Sequence, residues 1–435
     1  MPFSKIFRLG LIHVAVAITL VPINSTLNRV MISELRLAAT LVAVLVSLPY
    51  LLSPIQIWIG GYSDRHPLLG YRRTPYIALG LLLCAGGAAL APTAAFMMAG
   101  EGGPTPQSLV IGLLAFGAWG MGFNFATVSY LSLATDMAGE EHRARTVGVM
   151  WFMLIVSVIL TAILAGRALR PYSIEALYRV FYVICGVALA LGFAGLLGLE
   201  QRGSISAHLA ERRSFGQMLR LIGANPQARL FFIYLVVLLI ALLGQDLLLE
   251  PYAADVFGVP VARTTEYTAI WGSAFLAALL LAAPIARRAG KMRAASIGGM
   301  VAALGLLLIA VSGVLQAKDL LMAALVIFGL GSGLSTATNL ALMLDMTLAG
   351  QVGAFIGAWG MADALARLCG TILSGVVRDS INALSGNLAA GYISVFLLEA
   401  LALLVSLLLL KRISVARFRE GDLPPMIELA GYVDT

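Results

Sequence analysis

The sequence predicts an all-α integral membrane protein, twelve transmembrane helices arranged as two pseudo-symmetric six-helix halves. Three observations predict it. The 435 residues are 60% hydrophobic and 12% charged, with a mean hydropathy of +0.94, whereas soluble domains have roughly 25% charged residues. Twelve apolar runs each reach the about 20 residues that a helix needs to cross a bilayer. The two halves of the chain also repeat one plan. The runs are continuous rather than alternating, which argues against a membrane β-barrel.

The runs centre near residues 20, 48, 85, 120, 156, 189, 239, 276, 304, 333, 365 and 401. The first has no cleavage site after a short apolar core and is expected to be a retained helix, not a signal peptide. With the N-terminus in the cytoplasm, cytoplasmic segments hold 20 of the 29 Lys and Arg residues, outer segments hold eight, and Arg367 lies within a helix. The opposite orientation inverts the positive-inside rule, so both termini are expected in the cytoplasm. The net charge of +7 then matches an anionic inner leaflet rather than nucleic acid. Cys84, Cys185 and Cys369 sit in separate apolar helices with no CxxC spacing and read as packing residues.

Residues 1–200 form the first half and 229–412 the second. Between them, 201–228 is a basic cytoplasmic linker with a short surface helix expected around Phe215 to Ile222, and 413–435 is a cytoplasmic tail. Shifting the first half by 222 positions lays Asn24 on Asp246, Asn28 on Glu250, and GGYSDR on AAPIAR ending at Arg287. Later, Asp136 and Asp345 each close a helix before a Met, with Trp151 and Trp359 following 15 and 14 residues on. A parallel repeat of two six-helix halves is the plan of the major facilitator superfamily.

Four sets of residues are candidates for function. The loop GGYSDRHPLLGYRRTPYIALG carries Gly61, Asp64, Arg65, Gly70, Tyr71, Arg72 and Arg73, a pattern similar to the superfamily's cytoplasmic signature with three extra residues between Arg65 and Gly70. Such a loop can hold the halves closed through Arg–carboxylate pairs and helix-end charges; the alternative is ordinary positive-inside charge. The stretch LLGQDLLLEPYAADVFG places Gln245, Asp246 and Glu250 near the outer end of the seventh run. Asp246 and Glu250 are four apart and are expected on one helix face. They are either a helix leaving the membrane or a polar stripe facing the interior, with Asn24, Asn28 and Arg29 as its counterpart in the first run. In the second reading Arg29 can pair with Asp246 or Glu250 in one state. In the eleventh run Asp363 and Arg367, also four apart, are expected to pair along the helix, as a functional or a structural pair. His13 is either a packing residue or a ligand for a chlorophyll magnesium. The glycine clusters in the fourth, tenth and eleventh runs follow no strand, so they read as close helix contacts and not phosphate loops. Asn124 and Asn339 are candidates to face a central cavity. Nothing resembles a metal cluster or a catalytic triad, so neither a metal site nor an enzyme is expected.

Three stretches carry a resemblance: GYRRTPYI at 70–77, TDMAGEEHRAR at 135–145 and QDLLLEPYAADVFG at 245–258. In them, and across all twelve runs, the chain resembles the bacteriochlorophyll delivery (PucC/LhaA-like) family of the major facilitator superfamily. The motif positions carried over are Gly70, Tyr71, Arg72, Arg73, Thr74 and Pro75, then Gln245, Asp246, Glu250, Pro251 and Tyr252; the Asp363–Arg367 pair matches no family pattern. The resemblance implies a factor for light-harvesting complex assembly in a bacterial photosynthetic inner membrane, with bacteriochlorophyll or chlorophyll as cargo. Its implied partners are membrane lipid and light-harvesting or reaction-centre polypeptides, and no nucleic acid. The competing functions are a proton-coupled transporter of a small amphiphilic solute, in which Asp246, Glu250 or Asp363 titrates, and a non-transporting structural partner of an antenna ring.

Overall fold

A computed structural model of the chain describes residues 2–200, 202, 222–223, 225–347 and 352–420. Most of the expected linker, including its surface helix at 215–222 except Ile222, and most of the tail lie outside these residues.

The first helix, α1, starts at Phe3–Val21 and continues through two π-helical stretches, Pro22–Leu27 and Val30–Glu34. Pro22 has no N–H and its ring crowds the preceding turn, so regular winding cannot pass it unchanged. The second run does not form one continuous helix. It forms three pieces that we call α2: Ala39–Val46, Leu48–Leu51 and Ile55–Arg65. Pro49 and Pro54 fall at the joints, each removing a helical donor. Eleven helices among the described residues are therefore long and apolar enough to cross a membrane unaided. The broken second run accounts for the difference from twelve.

The remaining helices of the first half are α3 (Thr74–Met98), α4 (Pro106–Gly139), α5 (Arg145–Ala168) and α6 (Ile174–Leu196). Between α4 and α5 the chain kinks at Gly139, which has φ 63°. The second half opens with α7, which runs through an α-helical part Pro226–Leu243, a 3-10 turn Gly244–Leu247 and a further α-helical part Leu249–Phe257. It continues with α8 (Val261–Ala289), α9 (Lys291–Leu315), α10 (Lys318–Asp345), α11 (Val352–Ser385) and α12 (Leu388–Leu410), and a short α13 (Val415–Glu420) follows.

Within a bilayer, helices gain little from burying apolar surface against one another, so small residues that allow close approach decide the packing. In the first half a Cβ on Gly122 of α4 would stand 2.2 Å from the backbone nitrogen of Cys84 in α3, and in the second half a Cβ on Gly331 of α10 would stand 2.2 Å from that of Ala302 in α9. Backbone meets backbone at both crossings, as the glycine clusters led one to expect. The halves join along four helix pairs: α1 with α7 and with α8, α2 with α11, and α5 with α8. In the last pair Ala162 packs on Ala269 beside Val21.

Candidate functional site: a polar seam between the halves

The seam follows from irregular winding. Pro251 lacks an N–H, so the carbonyl of Leu247 has no donor four residues on. Asn28 of α1 supplies one from the other half, its Nδ2 donating to Leu247 O at 2.5 Å and to its own helix at Asn24 O, 3.2 Å. Glu250, 3% exposed, accepts hydrogen bonds from Ser25 Oγ of α1 and from Thr268 Oγ1 of α8, the latter at 2.6 Å. Thr26 and Thr265 hydroxyls meet at 3.2 Å. The two polar stripes expected to line the interface thus touch.

Two details differ from expectation. Asp246 and Glu250 do not share a face, because the 3-10 turn rewinds α7 between them: Asp246 is exposed and hydrogen-bonded by the Gln245 amide, whereas Glu250 is buried. Arg29 does not bond either acid. It pairs with Glu34 and donates to Val259 O at 3.2 Å. In a π-helical stretch residues five apart become neighbours, which brings Glu34 to Arg29.

Asp246 faces the space between the halves, where a charged cluster gathers. Arg367 Nε donates to Asp363 at 3.0 Å, the expected pair along α11. The Arg367 guanidinium also lies over the ring of Tyr50 in α2, 5.5 Å from its centroid, and within electrostatic reach of Asp246. Tyr50, Asp363 and Arg367 thus join α2 to α11, and the turn of α7 that carries Asp246 packs on α11 beside them. This cluster can hold a polar or charged group that enters between the halves.

Sequence reading missed a second network at the end of the seam. The first piece of α2 has no cap of its own. Asp379 of α11 caps it across the interface, accepting from Ala39 N at 3.2 Å, Thr40 N at 2.8 Å and Thr40 Oγ1 at 2.8 Å. Arg378 bonds Asp379 at 2.8 Å and lies 3.6 Å from Asp255, which also accepts from Tyr392 at 2.7 Å and Arg36 at 3.4 Å. The sequence signal was present: Arg378 and Asp379 stand at the end of an apolar run, where ionisable residues demand partners. Glu399, inside α12, was missed for the same reason.

The basic motif is built within the first half. Glu200, just beyond α6, accepts from the backbone nitrogens of Arg72 (2.9 Å), Arg73 (3.1 Å) and Thr74 (2.7 Å) and from Thr74 Oγ1 (2.7 Å). Its carboxylate caps the start of α3, where the helix dipole favours an anion. Arg73 donates to Ser63 Oγ at 2.7 Å and lies 3.9 Å from Asp136 of α4. Gly70, at φ 80°, allows the tight turn that pairs Leu68 with Tyr71, and Arg202 covers the Tyr71 ring. Arg65 is exposed. Gly61 and Asp64 lie on the last piece of α2, and their surroundings fall outside what is described. The motif's partners named above fasten the ends of α2, α3, α4 and α6 to one another.

His13 is buried in α1, tilted over Tyr130 at 5.1 Å and edge-on to Trp151 at 5.6 Å, and its Nδ1 has no hydrogen-bond partner. No group of three or more His, Cys, Asp or Glu among the described residues is placed to hold a metal. Asn124 bonds Gln56 and the backbone carbonyls of Pro49 and Gly120, and Asn339 accepts from Tyr234 at 2.6 Å. Both asparagines are therefore satisfied inside their own halves.

Two six-helix bundles meeting along a polar seam define a multi-pass membrane protein with the major-facilitator fold. Solved transporters share it: a bacterial homologue of the human lysosomal transporter Spinster superposes with a TM-score of 0.77 at 13% identity over 98% of this chain and 99% of that one. A D-xylose–proton symporter gives 0.71 at 14% identity over 96% and 99%. Within that class, the chain belongs to the PucC family, whose model, described as PUCC protein, matches residues 26–418. Protein PucC of Cereibacter sphaeroides is 34% identical over 96% of this chain and 94% of its own length, and Protein PucC of Rhodobacter capsulatus 32% over 93% and 91%. A protein of Rhodobacter capsulatus named bacteriochlorophyll synthase 44.5 kDa chain is 29% identical over 95% and 96%.

Proposed function

We propose that this protein is an assembly factor for light-harvesting complexes, which binds or delivers bacteriochlorophyll to antenna polypeptides. Membership of the PucC family over nearly the whole chain carries this reading. The relative named for bacteriochlorophyll synthase supports the pigment as cargo. On this reading the protein lies in a bacterial photosynthetic inner membrane with both termini cytoplasmic, the orientation that Lys and Arg placement favours.

The architecture suits a large apolar cargo. A chlorophyll is a planar macrocycle with a long tail, one hard cation and a few carbonyls. It needs lipid access, close helix faces and few donors rather than a broad aqueous path. The polar groups of the seam bond mainly to one another, which leaves the Tyr50–Asp246–Asp363–Arg367 cluster as the polar contact for a group entering between the halves.

The test is an absorption spectrum of the protein gently purified from its native membrane, together with a deletion strain. A red-region pigment band on the protein and loss of antenna absorbance in the deletion, with pigment synthesis intact, are expected. A pigment-free protein in the presence of intact antenna partners overturns delivery. Antenna absorbance that survives deletion overturns the assembly role.

A further inference from the structure

Glu399 has no place in the reading above. It lies inside α12, 5% exposed, in a helix whose other 22 residues carry no charge. Ser374 of α11 donates to its Oε1 at 3.0 Å, and its Oε2 has no partner. None of the ion pairs among the described residues includes it. The acid sits directly behind the break in α7: a Cβ on Gly244 would stand 2.6 Å from Oε1 and 3.0 Å from Ser374 Oγ. Glycine at that position leaves the room the carboxyl occupies.

The groups that face it come from three helices. From α7, Asp246 lies two residues beyond Gly244 on the same 3-10 turn, while Tyr252 is engaged with Ile309 O and Asp255 with Tyr392. From α11, Arg367 is bound to Asp363 and Arg378 to Asp379. From α9, the ionisable residues Lys291 and Arg293 lie only in its first turn. The ionisable group on the turn that borders Glu399 is therefore an acid. Glu250 differs, because Arg29 lies in its field and two hydroxyls bond it.

An ionised carboxylate in a bilayer interior without a counter-charge is costly, and a neighbouring acid adds repulsion. We propose that Glu399 is a proton-binding site that exchanges with the space between the halves through Asp246. The proton rests on Oε2. On release, that O–H bond breaks, the proton passes by way of the Asp246 carboxylate to water, and both acids end ionised; a cation at Asp246 offsets the added negative charge. A cationic group arriving at Asp246 would thus be linked to proton release from Glu399. This site does not depend on the cargo being a pigment.

Infrared difference spectroscopy of the purified full-length protein tests it. At neutral pH the wild type minus Glu399→Gln spectrum is expected to contain the carbonyl stretch of a protonated carboxylic acid, which Asp246→Asn retains and which shifts promptly on transfer to heavy water. Absence of that band, with the variant folded, overturns the proposal. A band that resists exchange into heavy water overturns the link to the opening. If Glu399→Gln does not fold, Ser374→Ala and Gly244→Ala serve instead, because both keep the acid and change its surroundings. Each must move the same band, and a band unmoved by both overturns the assignment.

Discussion

The two halves share a frame and differ in charge. The crossing of α3 with α4 and that of α9 with α10 are both built on glycine against backbone. The shift of 222 positions even lays the π-helical turns of α1, beginning at Pro22, on the 3-10 turn of α7, beginning at Gly244. Yet the second half carries Asp246, Glu250, Asp255, Asp363, Arg367, Arg378, Asp379 and Glu399 along its helices, while the seam side of the first half contributes mostly hydroxyls, amides and backbone N–H groups. The repeat supplies a scaffold twice, and most of the charge along the seam lies in the second copy, with Arg29 and Arg36 reaching across from the first. Whatever discriminates ligands or protons is therefore expected to reside mainly in the second half, with the first supplying hydroxyl, amide and guanidinium donors to it.

The largest effect that would break this comparison is at the end of the seam. Arg378→Ala leaves Asp255 and Asp379 without their shared cation, and breaking a buried pair of this kind costs about 3–5 kcal/mol. Thermal unfolding in detergent should show the loss; an unchanged midpoint would mean that the second half's charges are not structurally committed. Next come the glycine crossings. Gly122→Ala and Gly331→Ala each push a methyl group into backbone, and overpacking costs about 1–3 kcal/mol. Equal losses are expected, and a large inequality would show that the frames are not equivalent.

A smaller effect sharpens the seam itself. Asn28→Ala orphans the Leu247 carbonyl at a cost of about 1–3 kcal/mol. Pro251→Ala restores an N–H that can reach that carbonyl, so the Asn28 substitution should cost less in the Pro251→Ala background. A double-mutant cycle with no coupling would remove Pro251 as the reason for the bond. The smallest effect belongs to Glu34→Gln. Glu34 is half exposed, and exposed ion pairs contribute about 0–1 kcal/mol. Arg29→Gln and Glu250→Gln should then couple only weakly, because Arg29 bonds Glu34 and reaches Glu250 only through its field.

Much of this was legible in the sequence, for physical reasons that also explain the misses. Hydropathy located every apolar run because bilayer crossing is a demand on composition. It could not see that Pro49 and Pro54 divide the second run, since both fall among residues as apolar as their neighbours. The spacing of four paired Asp363 with Arg367 correctly, because α11 is regular there. The same spacing failed for Asp246 and Glu250, and missed Arg29 with Glu34, because both stretches depart from α-helical winding. Glu200, Asp379 and Glu399 escaped attention as single acids. Apart from Arg378 beside Asp379, their partners are backbone nitrogens and hydroxyls elsewhere in the chain, so the sequence shows that a partner is needed but not which one.

The cap that Asp379 places on α2 has a mechanical consequence. The first turn of α2 owes its anchored amides to a residue 340 positions away on the other half. Separating the halves there would strand those amides and the carboxylate together. The molecule therefore resists parting at this edge far more than it resists swinging about it. Asp379 is thus placed to act as the pin of a hinge, with this edge joined and the far ends of the bundles the freer to travel.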